Sequence, residues 1–397
     1  MDWKTAWSYL PVNHNTCIAT IKNTTVRGYF TNNLNGERLR IKFSNLYSQE
    51  TLILDNVTVG KRKVNTSVIE GFKPVTYKGE EVIKIEPGQE FYSDEIEISL
   101  DPSEDIVLSI YVKDETNIYS VCSTWSAKSW NTSYGLGGNY TEKQEFEETS
   151  NYDVYKVLQY DENIANHIFG ISSIEVLADS TTKTIALFGD SITHMSYYSD
   201  GLTRIVKDKY PGKVTIINRG LGGNRLLHDY TPMPEIPSGG TIFGRPGIER
   251  FEHDVYQNDQ PEYVVVLIGI NDFTHPYFFK RYDEIVTKED YIKGITQLID
   301  TAHSKGSRIL LGTVLPFKKE VLEWFDSVES LRQEVNKWIR EQNLSDGIVD
   351  FDLAVRDESC HDIMDDSTHL GDGIHPNAEG GRRMAAAVPI EWMMEEA

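Results

Sequence analysis

The sequence is short of basic residues. Its 397 positions hold 39 Lys and Arg against 61 Asp and Glu, a formal net charge of −22. A chain this acidic repels phosphate backbones and anionic lipid headgroups, and no local basic cluster reverses the effect. Neither nucleic acid nor a membrane is therefore expected as a partner. Long apolar runs are missing as well: nothing approaches the roughly 18–20 consecutive apolar residues of a membrane helix. The amino terminus, Met1-Asp2-Trp3-Lys4-Thr5, has neither a basic start nor an apolar stretch, so no secretory signal is expected, although a chain trimmed of one reads the same way. Cysteine is scarce. Cys17, Cys122 and Cys360 are odd in number and far apart, which argues against a disulfide framework or a CxxC motif and leaves buried reduced thiols. A cytoplasmic protein is expected, with secretion the alternative for a chain trimmed of its signal. Internal repeats and low-complexity tracts are lacking too.

What remains is ordinary globular material, 39% hydrophobic and 25% charged, in a chain too long for one typical domain. Its texture changes near residue 180. Before that point, short runs rich in Val, Ile, Thr and Tyr recur: Arg38–Phe43, Thr51–Val59, Glu81–Glu86, Glu95–Leu100 and Ile106–Val112. In Arg38-Leu39-Arg40-Ile41-Lys42-Phe43 and Glu95-Ile96-Glu97-Ile98-Ser99-Leu100 the alternation has period two, as in an antiparallel sandwich with one wet face. The polar, glycine-bearing stretch from Asn131 to Asn151 reads as a long loop, and Ile171–Leu177 as a last strand or a linker. Beyond residue 180, apolar runs suited to buried parallel strands appear at Thr184–Phe188, Val214–Ile217, Tyr263–Ile268, Ile309–Val314 and Ile348–Phe351. Amphipathic helices separate them, notably Asp290–His303 and Glu329–Gln342. The expected fold is therefore an antiparallel β-sandwich domain with its linker at residues 1–178, followed by an α/β domain with a parallel sheet at 179–397.

Four fragments carry chemistry. The strand ending Leu187-Phe188 runs into Gly189-Asp190-Ser191 and an apparent helix, so Ser191 sits where α/β sheets collect functional groups. A serine there is equally suited to be a helix N-cap. Far downstream, just ahead of the final helix, stands Asp372-Gly373-Ile374-His375. A serine hydroxyl needs a base, usually an imidazole held in one tautomer by a carboxylate, and Asp and His three apart on one turn can face the same way. Asn218-Arg219-Gly220-Leu221-Gly222-Gly223-Asn224 and Gly269-Ile270-Asn271-Asp272 follow the second and third strands. Glycines admit close backbone N–H groups and an asparagine amide adds a donor, which suits charge developing on a substrate oxygen. Each fragment alone is also an ordinary turn or strand-end cap. Together they supply nucleophile, base, orienter and oxyanion donors at the ends of one sheet.

In this order, the fragments resemble the four blocks of the SGNH (GDSL-type) hydrolase superfamily. Gly189-Asp190-Ser191 is similar to the first, Gly223 matches the second, Asn271 the third and Asp372-x-x-His375 the last. The resemblance implies a flavodoxin-like three-layer α/β/α domain and ester hydrolysis without metal or cofactor. It further implies Ser191 as nucleophile, and an oxyanion hole from the Ser191 and Gly223 N–H groups with the Asn271 amide. Arg250-Phe251-Glu252-His253-Asp254-Val255 also resembles bacterial members, and Thr24–Val59 is similar to the amino-terminal β-domain (jelly-roll-like) that those members carry. His194 departs from the pattern, since an acidic residue is common at that place.

Other features are candidates for binding. His194, Tyr197, Tyr198, His275 and Tyr277 are aromatic with polar tips and lie near the blocks, so they are candidate substrate contacts. Trp125 and Trp130 suit a sugar platform or, more ordinarily, a core. Cys360, His361, His369, Asp372 and His375 crowd together, but their spacing fits no common zinc pattern, and no metal is expected. The expected substrate is a small-molecule or oligosaccharide ester with a short, acetyl-like acyl group. The alternatives are a lipase or thioesterase for longer chains and a non-catalytic glycan-binding protein. Oligomeric state is not legible.

Overall fold

The computed structural model describes residues 1–155, 158, 165–317 and 323–395. The chain divides into two compact units. One comprises Met1–Thr182 with Lys207–Ile217 and Pro234–Gly239; the other comprises Lys183–Val206, Asn218–Met233 and Gly240–Ala397.

The first unit is antiparallel. Among the described residues it contains a five-stranded sheet in the order Asp2–Ser8, Ile171–Ala178, Gly36–Ser44, Glu90–Tyr92, with Ile96–Leu100 also paired to Gly36–Ser44. A second five-stranded sheet runs Trp130–Leu136, Thr24–Phe30, Glu104–Val112, Asn56–Lys63, Glu70–Pro74. Inward residues of both sheets, among them Leu39, Ile41, Phe43, Val57, Val59, Leu108 and Ile110, share one core. Ile171–Ala178 is a strand and not a linker, bonded on one side to Asp2–Ser8 and on the other to Gly36–Ser44.

The stretch read as a loop opens instead with a strand, Trp130–Leu136, in register with Thr24–Phe30 from Trp130↔Phe30 to Leu136↔Thr24. Its polar and small residues concealed it. Thr132 is buried there because Asn151 meets its polar groups: Nδ2 donates to the Thr132 carbonyl at 3.2 Å, while Oδ1 accepts the Thr132 hydroxyl at 3.2 Å. Trp130 lies in the core among Trp7, Tyr9 and Phe30, which removes it as a sugar platform.

The parallel sheet runs Val214–Gly220, Lys183–Gly189, Tyr263–Leu267, Arg308–Gly312, Gly347–Val349, and helices flank it. In chain order this is 2-1-3-4-5, the flavodoxin-like arrangement, whose reversal point falls between the first and third strands. The carboxyl ends of Lys183–Gly189 and Tyr263–Leu267 therefore adjoin, with Gly189 opposite Leu267. The expected helices form at Lys288–Ser304, opened by a Thr287–Asp290 capping box, and at Phe325–Glu341. The fifth strand is shorter than expected because the Asp350 carboxylate accepts the Leu353 N–H and starts a short helix at Phe351–Val355. Two helices, not one, follow His375: Ala378–Ala387 and Ile390–Glu395, separated at Pro389, whose ring nitrogen has no N–H to continue the first. Among the described residues no helix is long and apolar enough to cross a membrane.

Candidate active site

Ser191 is the first residue of a one-turn helix, Ser191–His194, directly after the strand Lys183–Gly189. It is not the cap. Asp190 takes that place, its carboxylate accepting the Ile192 N–H at 3.0 Å, which leaves the Ser191 hydroxyl unused by the helix. A side chain at position 189 would put Cβ 2.2 Å from the Leu267 carbonyl oxygen, so only glycine lets the neighbouring strand ends close up here.

The Ser191 Oγ lies 2.8 Å from His375 Nε2, across 184 residues of chain. On the far side of the ring, His375 Nδ1 lies 2.6 Å from Asp372 Oδ2. Asp372 Oδ1 accepts the N–H groups of Ile374 at 2.9 Å and of His375 at 3.0 Å. Burial works to raise the Asp372 carboxyl, but the hydrogen bond and charge of His375 and these two N–H groups outweigh it and hold the group below the ordinary carboxylate range. A stable carboxylate on Nδ1 fixes the tautomer that leaves Nε2 to accept a proton from the hydroxyl.

A second Asp-x-x-His, Asp366–His369, precedes the first by six residues. Sequence spacing does not separate the two; the fold does, since His369 Nδ1 faces the N–H groups of Gly371 and Gly373 and not Ser191.

Gly223 has φ +70°, and a Cβ there would collide with the Phe243 ring at 2.1 Å. Asn271 is buried at the start of the helix Ile270–Phe278, and its Nδ2 donates to the Asn224 carbonyl at 3.0 Å. Its neighbour Asp272 accepts the Leu226 and Leu227 N–H groups at 2.7 and 2.9 Å. The glycine loop is thus tied to the third strand end by consecutive side chains. His194, expected at the substrate, is 4% exposed, and its Nδ1 accepts the Gly222 N–H at 3.1 Å. Arg250 was legible only as part of a resemblance. In the structure its buried guanidinium donates to the carbonyls of Gly189 (2.7 Å) and Arg219 (3.1 Å) and to Asn224 Oδ1 (2.8 Å).

The aromatic candidates disperse. Tyr197 is half-buried early in the helix Tyr197–Lys209, whereas Tyr198 is fully buried against Phe351. His275 is 8% exposed, with Nδ1 3.0 Å from Thr231 Oγ1. Tyr277 stacks on Trp324, ring centroids 5.2 Å apart. In the cysteine–histidine cluster, Cys360 Sγ donates to Asp362 at 2.7 Å. Among the described residues no group of three or more His, Cys, Asp or Glu is placed to hold a metal ion.

Residues 187–383 match the profile of the GDSL-like Lipase/Acylhydrolase family. No curated protein matches the chain. Among solved structures, the chain is similar to a catalytic mutant of an acetylxylan esterase from Geobacillus stearothermophilus, 19% identical, with 53% of this chain and 93% of that one covered at a TM-score of 0.40. It is also similar to a GDSL-like lipase from Bacteroides thetaiotaomicron VPI-5482, 21% identical, covering 54% of this chain and 88% of that one at a TM-score of 0.36.

Burial pushes the His275 imidazole down to about 3 from an ordinary 6.5, with the Arg225 charge adding to the effect and Glu284 opposing it. Across that window the unfolded chain binds the extra proton, so this contribution to stability is whole above about pH 6.5 and is lost as pH falls. Two carboxyls run the other way: burial raises Asp190 to about 7 and Asp272 to about 6, so protonation in that range favours the folded state. We expect His275→Asn to lose less Tm than the native chain between about pH 6.5 and 4. Equal losses, followed by circular dichroism, would put the acid sensitivity elsewhere.

Proposed function

Because the chain carries a domain of the GDSL-like Lipase/Acylhydrolase family over residues 187–383, an ester-hydrolase family, we propose that it is a serine esterase that removes short acyl groups, foremost acetyl, from carbohydrates or similar polar alcohols. The observation that carries this reading is the hydrogen-bonded line from Ser191 Oγ through His375 to Asp372, at 2.8 and 2.6 Å.

In the proposed reaction Ser191 Oγ attacks the ester carbonyl carbon while its proton passes to His375 Nε2. The carbonyl oxygen becomes an oxyanion, met by the Ser191 and Gly223 N–H groups and by Asn271. One Asn271 N–H is committed to the Asn224 carbonyl, which orients the amide and leaves the other for the oxyanion. Collapse of the intermediate expels the alcohol, which takes the proton from Nε2 and leaves an acyl-Ser191. A water molecule, deprotonated by His375, then attacks this ester; Ser191 departs as the hydroxyl and the carboxylic acid is released. Asp372 stays ionised throughout and stabilises the imidazolium. The chemistry requires no metal or cofactor. Cys17, Cys122 and Cys360 form no disulfide, which supports a reducing, cytoplasmic setting.

The acyl preference rests on what lines the sequence around the site. A lipase gains about 0.8 kcal/mol for each CH₂ it buries, and no apolar insertion beside Ser191, Asn271 or His375 is long enough to build a deep channel. Tyr197, half-buried six residues after Ser191, is the aromatic candidate best suited to a sugar ring; of the other three candidates, His194 and His275 are buried on polar partners of their own and Tyr277 is stacked on Trp324.

Ser191→Ala should fold normally, lose labelling by a fluorophosphonate and lose turnover by up to about 10⁶-fold. Retention of a tenth of native activity would remove Ser191 as nucleophile and, with it, the proposed mechanism. Asn271→Ala should lower kcat by about 10²–10³ with little change in KM; a defect confined to KM would assign Asn271 to ground-state binding. Across p-nitrophenyl acetate, butyrate and octanoate, kcat/KM should fall steadily, and acetylated oligosaccharides should be turned over. A rise with chain length would select the lipase or thioesterase.

A further inference from the structure

The loop that carries Asp372 and His375 is folded around a second imidazole. The Leu370 N–H donates to the His375 carbonyl at 2.9 Å, and His369 bridges Pro376 in antiparallel fashion, so the segment closes on itself. Inside this closure His369 Nδ1 accepts the N–H of Gly371 at 2.9 Å and of Gly373 at 3.1 Å. Those glycines flank Asp372. Both lie in the left-handed region, at φ +94° and +73°, a conformation glycine adopts without strain but also leaves easily. A side-chain nitrogen here does what a backbone carbonyl does in a regular turn: it fixes the peptide planes before and after the aspartate.

His369 is itself anchored. Its carbonyl accepts from Asn377 Nδ2 at 2.9 Å, where Asn377 also caps the helix Ala378–Ala387. Its side chain is 12% exposed, with Nε2 3.6 Å from Asp366 Oδ1. Two donors converge on Nδ1, so the ring's proton belongs on Nε2, toward that carboxylate.

We infer that His369 is a positioning residue for the proposed hydrolysis: it holds the Gly371–Gly373 backbone so that the Asp372 carboxylate stays against His375 Nδ1. It touches neither the Ser191 hydroxyl nor the reacting atoms. The inference rests on the proposed esterase reading for its consequence in turnover, but the geometry it claims is independent of any substrate.

The test uses the full chain with two substitutions. His369→Ala removes the acceptor; His369→Asn restores one, because an amide oxygen on a short side chain can take both N–H groups. With p-nitrophenyl acetate, His369→Ala should lose about 10²-fold in kcat with KM nearly unchanged, the penalty of a misplaced reacting group, and His369→Asn should recover most of it. The proton between His375 Nδ1 and Asp372 should give a far-downfield NMR resonance in the native chain and in His369→Asn, and lose it in His369→Ala. A folded His369→Ala with native kcat, or with that resonance intact, would overturn the proposal. If His369→Ala does not fold, His369→Asn decides, and a folded His369→Asn lacking the resonance overturns it as well. Failure of the esterase reading shows differently: Ser191→Ala then keeps its activity while the resonance still reports on the loop.

Discussion

The Arg250 guanidinium donates to the Gly189 carbonyl, the Arg219 carbonyl and the Asn224 side chain from a buried position, with its plane over the Phe188 ring at 4.1 Å and Asp254 at 2.9 Å as counter-ion. Gly189 opens the Gly-Asp-Ser turn; Arg219 and Asn224 bracket the glycine loop. Their registry depends on one cation whose five donors have a fixed planar geometry. Removing one partner of a buried charged network typically costs about 3–5 kcal/mol, because the other groups stay buried without compensation. The site's backbone is therefore as rigid as this guanidinium makes it.

A parallel tie runs from the third strand. Asn271 and Asp272 are adjacent in the chain, and together they hold the carboxyl end of the glycine loop, at Asn224 and at Leu226–Leu227. His194 adds a third hold at Gly222. The glycines contribute freedom, and polar side chains from three elements then take it away. Pre-set donors are what give an oxyanion hole its effect, since they need not reorganise when charge appears.

Much of this was legible in the sequence. Buried parallel strands are apolar runs, and they stop where Gly189 and Gly269 stop them, so the locations of Ser191 and Asn271 follow from periodicity. That Ser191 needs an imidazole and a carboxylate follows from which residue types can exchange a proton, and the family resemblance pointed to His375 and Asp372 for those parts. Other parts were not legible, for identifiable reasons. Asp366–His369 and Asp372–His375 have the same spacing, and only the closed loop separates them. The strand Trp130–Leu136 is polar and small in composition, and the Asn151 amide that allows Thr132 to be buried lies 19 residues away, where composition does not reveal it. His194 ends the short helix whose phase is set by Asp190 capping it, and Tyr198 is buried in the next helix beside the half-buried Tyr197, so which side chains face inward depends on where each helix starts. Arg250 reaches the Gly189 and Arg219 segments through backbone carbonyl oxygens, which every residue has, so nothing in those residues' identity points to it.

Asp372 and His375 lie three residues apart, and the carboxylate binds both the imidazole and the backbone N–H groups between them. The pair is consequently one mechanical part. Of the two distances that align the three groups, one is set inside a single short segment, where thermal displacement moves both partners together and leaves their separation unchanged. Only the gap between Ser191 and His375 must be maintained by the domain as a whole. Breathing of the sheet or its helices is thus felt along one coordinate, the approach of imidazole to hydroxyl, while the charge relationship behind the imidazole travels with it.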